Sequence, residues 1–102
     1  MFFDVKDGRI MRRQAGCSLS TTVYSGSSKA IKAVLSPDEK RVLILLENGK
    51  GVRCVDANAS NFDTNGRIVY SETGSLAAQD VAWDGNKKIM IKNGNGWRSR
   101  NL

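Results

Sequence analysis

The residues of this chain best suited to chemistry are basic side chains grouped near its two ends, one group together with a tryptophan. Between residues 8 and 37 there are five basic residues and no acid, and from residue 87 onward there are five more bases and again no acid. Lysine and arginine attract phosphate groups, and an exposed tryptophan can stack on a base and contribute about 1–3 kcal/mol. The candidate nucleic-acid- or anion-binding residues are Arg9, Arg12, Arg13, Lys87, Lys88, Lys92, Trp97, Arg98 and Arg100.

Three predicted strands must position these side chains. The arginine group lies on a strand near residues 9–14, the lysine group on one near 87–92, and Trp97 with the last two arginines on one near 97–101. If the two ends of the chain pair, these strands gather into one positive surface that carries an aromatic ring. The alternative is that Trp97 belongs to the core and that the charges form a solubilising face.

Turn residues divide the chain into short segments of β character. Asp7-Gly8 and Asn48-Gly49 are pairs preferred in two-residue type I′ hairpin turns, since both central positions need a positive φ. No window shows a convincing helical period. The predicted strands lie near residues 2–6, 9–14, 20–24, 30–36, 41–47, 50–55, 66–71, 78–83, 87–92 and 97–101.

Two segments stand out within this pattern. Residues 42–46 are apolar on both faces of their predicted strand, which is typical of a strand buried between two layers. Residues 57–66 form a ten-residue loop rich in asparagine, long for a connection and therefore a further candidate site.

The fold class predicted from this organisation is all-β. A chain of 102 residues is most simply one domain. We expect an antiparallel meander of short hairpins that forms a small sandwich or barrel, or else two propeller-like blades. Residues 30–56 and 77–102 repeat the same order of apolar runs and turns, so the domain should divide into two repeat-like halves, about 1–56 and 57–102.

The repeated segment resembles a blade of the WD40-type β-propeller. The turn Ser36-Pro37-Asp38-Glu39 stands where such blades have a Ser-Pro-Asp-Gly turn, and Val55-Asp56 stands where they end in Trp-Asp. In the second copy Trp83-Asp84-Gly85 takes the place of the turn. The resemblance implies a scaffold for partners. Because rings need about 4–8 blades, it also implies that several copies assemble.

Several functions are disfavoured by what the chain contains. It has no histidine, no Gly-rich phosphate loop and no paired carboxylates outside a predicted turn, so we expect no enzyme, no metal site and no cofactor. Cys17 and Cys54 do not make a disulfide framework. We expect Cys54 to be a small buried side chain and Cys17 a loop thiol. Without a visible signal peptide or membrane span, the expected location is the cytoplasm.

The prediction for function is therefore a small binding module. Its expected partner is anionic, a nucleic acid or an acidic protein, and contacts the basic face. The alternative is a protein-interaction or self-assembling module, a propeller-like homo-oligomer that binds a protein or a sugar. In that case Trp83 and Trp97 would be stacking platforms, unless they are ordinary core aromatics.

Overall fold

Ten β-strands and two short 3-10 turns make up the protein in a computed structural model, which describes residues 1–47 and 49–102 in full and residue 48 by its backbone alone. All ten predicted strands are confirmed, with ends that differ by no more than two residues. The strands are β1 (Phe2–Lys6), β2 (Arg9–Arg13), β3 (Thr21–Tyr24), β4 (Ala30–Leu35), β5 (Arg41–Leu46), β6 (Val52–Asp56), β7 (Arg67–Tyr70), β8 (Asp80–Asp84), β9 (Lys88–Asn93) and β10 (Gly96–Asn101).

The strands form three antiparallel meanders. Sheet I has the order β1-β2-β3, sheet II the order β4-β5-β6-β7, and sheet III the order β8-β9-β10. The predicted halves, about 1–56 and 57–102, do not coincide with these sheets. Residue 56 ends β6, and β7 pairs with β6 in the same sheet, because the loop 57–66 leads the chain back to sheet II.

The two predicted hairpin turns have different outcomes. Asp7 and Gly8 have φ of 53° and 80°, and Lys6 lies opposite Arg9, so the type I′ prediction is confirmed. The prediction of a two-residue turn at 48–49 is wrong. A 3-10 turn over Glu47–Gly49 makes a longer connection between β5 and β6.

Sheet II is the middle layer of three. Val42, Ile44 and Leu46 of β5 pack toward sheet I, whereas Leu43 and Leu45 pack toward sheet III. The prediction of a strand buried on both faces is confirmed, since all five of these side chains are buried. Side chains alternate between the faces of a strand, so one apolar strand supplies both layers of the core.

The sheets are joined along their first strands, because β1 and β8 both contact β4. The backbone N–H of Ala30 in β4 donates to the Gly8 carbonyl at 2.9 Å. On the other side, the Trp83 indole N–H of β8 donates to the Val34 carbonyl at 2.9 Å. The last strands, β3, β7 and β10, lie at the opposite edges of their sheets. No helix in the described chain is long and apolar enough to cross a membrane.

Candidate anion-binding groove

The structure divides the predicted basic surface between two sheets. The three arginines of β2 lie in sheet I, while Lys87 and the later candidates lie in or beside sheet III. Sheet II stands between the two groups. The ends of the chain do not pair, since β2 pairs with β1 and β3 and β10 pairs with β9. Short turns keep each hairpin with its neighbour in sequence, so distant basic strands stay apart.

Two of the arginines in sheet I make structural contacts. Arg12 donates to the carbonyls of Ala57 and Ala59 at 2.9 and 2.7 Å. Its guanidinium carbon lies 6.0 Å from the centre of the Phe62 ring. Arg13 lies 4.8 Å from the centre of the Phe2 ring, and Arg9 is exposed. Arg12 therefore holds the loop 57–66 against sheet I.

Sheet III presents its candidates on two faces. Trp97 lies opposite Lys92 on the outer face, and Lys88 shares that face because it is four residues from Lys92. Trp97 is 45% exposed, so the alternative that placed it in the core is wrong. Arg98 and Arg100 point to the other face, where Arg100 lies 5.6 Å from the centre of the Tyr70 ring. Trp83, in contrast, packs against the buried cluster between sheets II and III.

A groove of about 830 Å³ lies between sheet II and Leu102, which follows β10. The strand register explains its walls. Arg41 at the start of β5 lies opposite Asp56 at the end of β6, and Cys54 lies opposite Arg67 in β7. These residues occupy the open end of the face that packs on sheet III. Lys40, which precedes β5, completes the wall.

The groove is positively charged. The charged side chains of its lining are the three cations Lys40, Arg41 and Arg67 and the carboxylate of Asp56, so the net side-chain charge is +2. Asp56 accepts a hydrogen bond from the Asn58 backbone N–H at 2.9 Å, which shapes the turn after β6. Among the described residues, the two ion pairs lie elsewhere, at Lys32–Asp80 and at the N-terminus with Glu39. The three cations are therefore available to an anion.

Cys54 forms part of the apolar floor. Burial raises the pKa of its thiol, and the nearby Arg41 and Arg67 act in the opposite direction more weakly. The thiol stays protonated at neutral pH and is a poor nucleophile. Cys54 is buried and Cys17 exposed, as the sequence predicts. Where side chains are described, no three His, Cys, Asp or Glu residues lie close enough to hold a metal ion.

The groove cations are absent from the candidates drawn from the sequence. Lys40, Arg41 and Arg67 belong to the middle of the chain, where acids outnumber bases. The alternation of side chains along β5 is the sequence signal that could have identified one of these cations, since Arg41 shares a face with Leu43 and Leu45. Arg67 is 26 positions further along the chain, and only the pairing of β6 with β7 brings it to the same place.

No family model, curated protein or solved structure matches the chain, so comparison with known proteins assigns it to no family.

Proposed function

We propose that this protein is a non-enzymatic binding module for a linear anionic ligand, of which single-stranded nucleic acid is the preferred class. The observation that carries the proposal is the groove, where Lys40, Arg41 and Arg67 line an open channel that holds one acidic side chain, Asp56. Lysine and arginine bind phosphates by displacing condensed counterions. Packed sheets lie about 10 Å apart, so an opening between two of them suits a single chain of phosphates.

The acid-free end of the chain extends this positive region. The Leu102 backbone N–H donates to the Lys87 carbonyl at 2.9 Å, which places Lys87 beside the groove. Trp97 lies on the opposite face of sheet III, so groove binding rests on charge and not on base stacking. The binding is expected to be largely indifferent to sequence. Two free cysteines fit a reducing compartment, and we place this activity in the cytoplasm.

The proposal is tested by titrating the protein into a labelled oligothymidine and following fluorescence anisotropy. Binding should be strong at about 50 mM salt and should weaken as salt is added. A plot of log K against log salt concentration should have a slope of about −0.7 for each phosphate neutralised on a single strand. The double variant Arg41→Ala/Arg67→Ala removes two phosphate contacts, so its slope should be less steep by about 1.4.

The matched control is Lys6→Ala/Arg9→Ala on sheet I. These two residues lie opposite each other on exposed positions of β1 and β2, so the control removes the same charge away from the groove. It should leave the slope unchanged. Equal losses in both double variants would show that net charge alone drives binding, and no binding at low salt would refute the proposal.

Self-assembly is the second candidate, and the uncovered faces at the two ends of the stack favour it. Phe2 on sheet I and Trp97 on sheet III are 48% and 45% exposed. A second copy placing its sheet I on this sheet III would continue the stacking seen inside one chain and would build a propeller-like oligomer. Light scattering at the highest soluble concentration tests this. A monomeric mass that persists there rules the assembly out.

A further inference from the structure

Strand β10 forms the outer edge of sheet III, and in the part of the chain that the structure describes no strand pairs with its free side. Five of its six residues are exposed. The edge of a sheet presents unpaired backbone N–H and C=O groups, which accept another extended chain readily. The chemistry of β10 indicates what that chain should look like.

The hydrogen-bond pattern identifies the free backbone groups. The Leu102 N–H donates to the Lys87 carbonyl at 2.9 Å, so residue 102 faces β9. In an antiparallel pair, residues alternate between facing the partner strand and facing away. Arg98 and Arg100 therefore bond to β9, whereas Trp97, Ser99 and Asn101 direct their backbone groups outward. The free edge offers three donors and three acceptors at every second residue.

The outer edges of the other two sheets differ from that of sheet III. In sheet II the edge strand is β7, which has four residues, against six in β10. In sheet I the carbonyl of Val23 on β3 accepts the Phe62 N–H at 2.7 Å, and the Ser25 N–H donates to the Asp63 carboxylate at 3.2 Å. The loop 57–66 thus covers the end of β3. Among the described residues no loop covers β10 in this way, so sheet III presents the longest free edge of the three.

The side chains of β10 specify the partner. Arg98 and Arg100 share one face, and Arg100 is oriented by its contact with the Tyr70 ring. On the other face Trp97 offers an apolar surface. Oppositely charged and aromatic cross-strand pairs stabilise a sheet. A strand added to β10 is therefore favoured when it carries acids opposite the two arginines and an aliphatic residue opposite Trp97.

We propose that β10 accepts an extended segment of an acidic partner protein, which adds to sheet III as an antiparallel fourth strand. Its backbone pairs with Trp97, Ser99 and Asn101, and its acidic side chains lie over Arg98 and Arg100. This site is the edge of sheet III and not the groove, so it can succeed or fail independently of the function proposed above.

The test uses the full chain and a labelled peptide of sequence TETEVT with a glycine at each end. Anisotropy should show that this peptide binds and that TKTKVT does not. Amide hydrogen exchange measured by NMR should slow about tenfold at Trp97, Ser99 and Asn101 when the peptide is saturating, since these amides gain hydrogen bonds. The amides of Arg98 and Arg100, already bonded to β9, should change little.

Two variants separate backbone pairing from charge. Ser99→Pro removes the central outward N–H at a position where an edge strand tolerates proline, and it should weaken peptide binding about tenfold. Ser99→Ala retains the N–H and should bind normally. Should the proline disturb folding, Arg98→Glu/Arg100→Glu provides an independent test, because it should reverse the preference from TETEVT to TKTKVT.

Three results would overturn the proposal, each pointing to another occupant. Slowed exchange around Arg41 and Arg67, with β10 unchanged, would make the peptide a polyanion in the groove. Slowed exchange at the three β10 amides on adding oligothymidine would assign the edge to nucleic acid. Slowed exchange that grows with protein concentration, without peptide, would assign it to a second copy. Unchanged oligothymidine binding by Ser99→Pro would keep the two proposals distinct.

Discussion

The two seams of the molecule, between sheets I and II and between sheets II and III, use the same packing but end differently. Both are filled by buried side chains of β5. The first seam is closed by Phe62, which is 0% exposed. The second opens into the groove lined by Arg41 and Arg67. Strand packing is thus common to both seams, and only the first has a loop across its outer end.

The loop 57–66 makes this difference. It leaves sheet II after β6 and is held to sheet I by Arg12, which donates to two of its carbonyls, and by the Phe62 N–H, which donates to Val23. The sequence suggests this loop as a candidate site, whereas the structure gives it a sealing role. At the second seam the loop contributes only Asn58 and Gly66 to the lining, and the groove cations Lys40, Arg41 and Arg67 stay open to a ligand.

The largest effect should come from breaking the closed seam. Phe62→Ala should lower the free energy of unfolding by about 3–5 kcal/mol, because it leaves a cavity in a fully buried site. Urea denaturation followed by circular dichroism measures this. Truncating the residue at the open seam, Leu102→Ala, should cost only about 0.5 kcal/mol, since Leu102 is partly exposed. Equal losses would mean that the two seams are sealed alike.

Alanine substitution of one arginine at each seam separates a structural cation from a binding cation. Arg12→Ala should cost about 2 kcal/mol, because a half-buried cation loses two hydrogen bonds to carbonyls. Arg41→Ala should change stability by no more than about 0.5 kcal/mol. Oligothymidine binding should respond in the reverse order and weaken only for Arg41→Ala. Urea denaturation and anisotropy on both variants measure the two effects. Weaker binding by a folded Arg12→Ala protein would contradict the assignment of the anion site to the groove.

The fold was largely accessible from the sequence because its signals are local. Turn pairs and alternating side chains act within a few residues, so every strand was predicted. The error at 48–49 has a long-range cause. The Glu47 N–H donates to the Lys29 carbonyl at 2.9 Å, and the Glu47 carboxylate accepts the Lys29 N–H at 3.2 Å. These contacts with the segment before β4 favour a wider connection over the hairpin turn that Asn-Gly prefers.

The site was less accessible because it depends on how the sheets stack. Charge counted along the chain identifies acid-free segments at the two ends, but sheet II separates them. Arg12 illustrates the limit, since it belongs to a basic run and yet bonds to the loop 57–66. Arg41 and Arg67 meet only through strand register. A sequence pattern that specifies strands therefore does not specify which charges share a surface.

The smallest effect concerns the contact between β4 and β8, the first strands of sheets II and III, which lies at the opposite edge of the second seam from the groove. Lys32 of β4 and Asp80 of β8 form an ion pair with 2.8 Å between Nζ and Oδ1. The hydrogen bond from Lys32 lowers the pKa of Asp80, although partial burial opposes it. A lowered pKa stabilises the fold above the ordinary aspartate pKa, and this contribution is lost as the pH falls through the lowered value.

Lys32→Met keeps most of the aliphatic stem and removes the charge, so the pKa of Asp80 should rise toward its ordinary value. The loss of stability should be about 0.2–1 kcal/mol near pH 7, because the pair is exposed, and it should shrink as the pH falls through the lowered pKa of Asp80. Carboxyl-detected NMR titration and urea denaturation over the acidic pH range measure both. The same change at Lys6, on sheet I, should leave Asp80 unaffected. An unchanged Asp80 pKa in Lys32→Met would mean that packing of Trp83, and not this ion pair, holds β8 to β4.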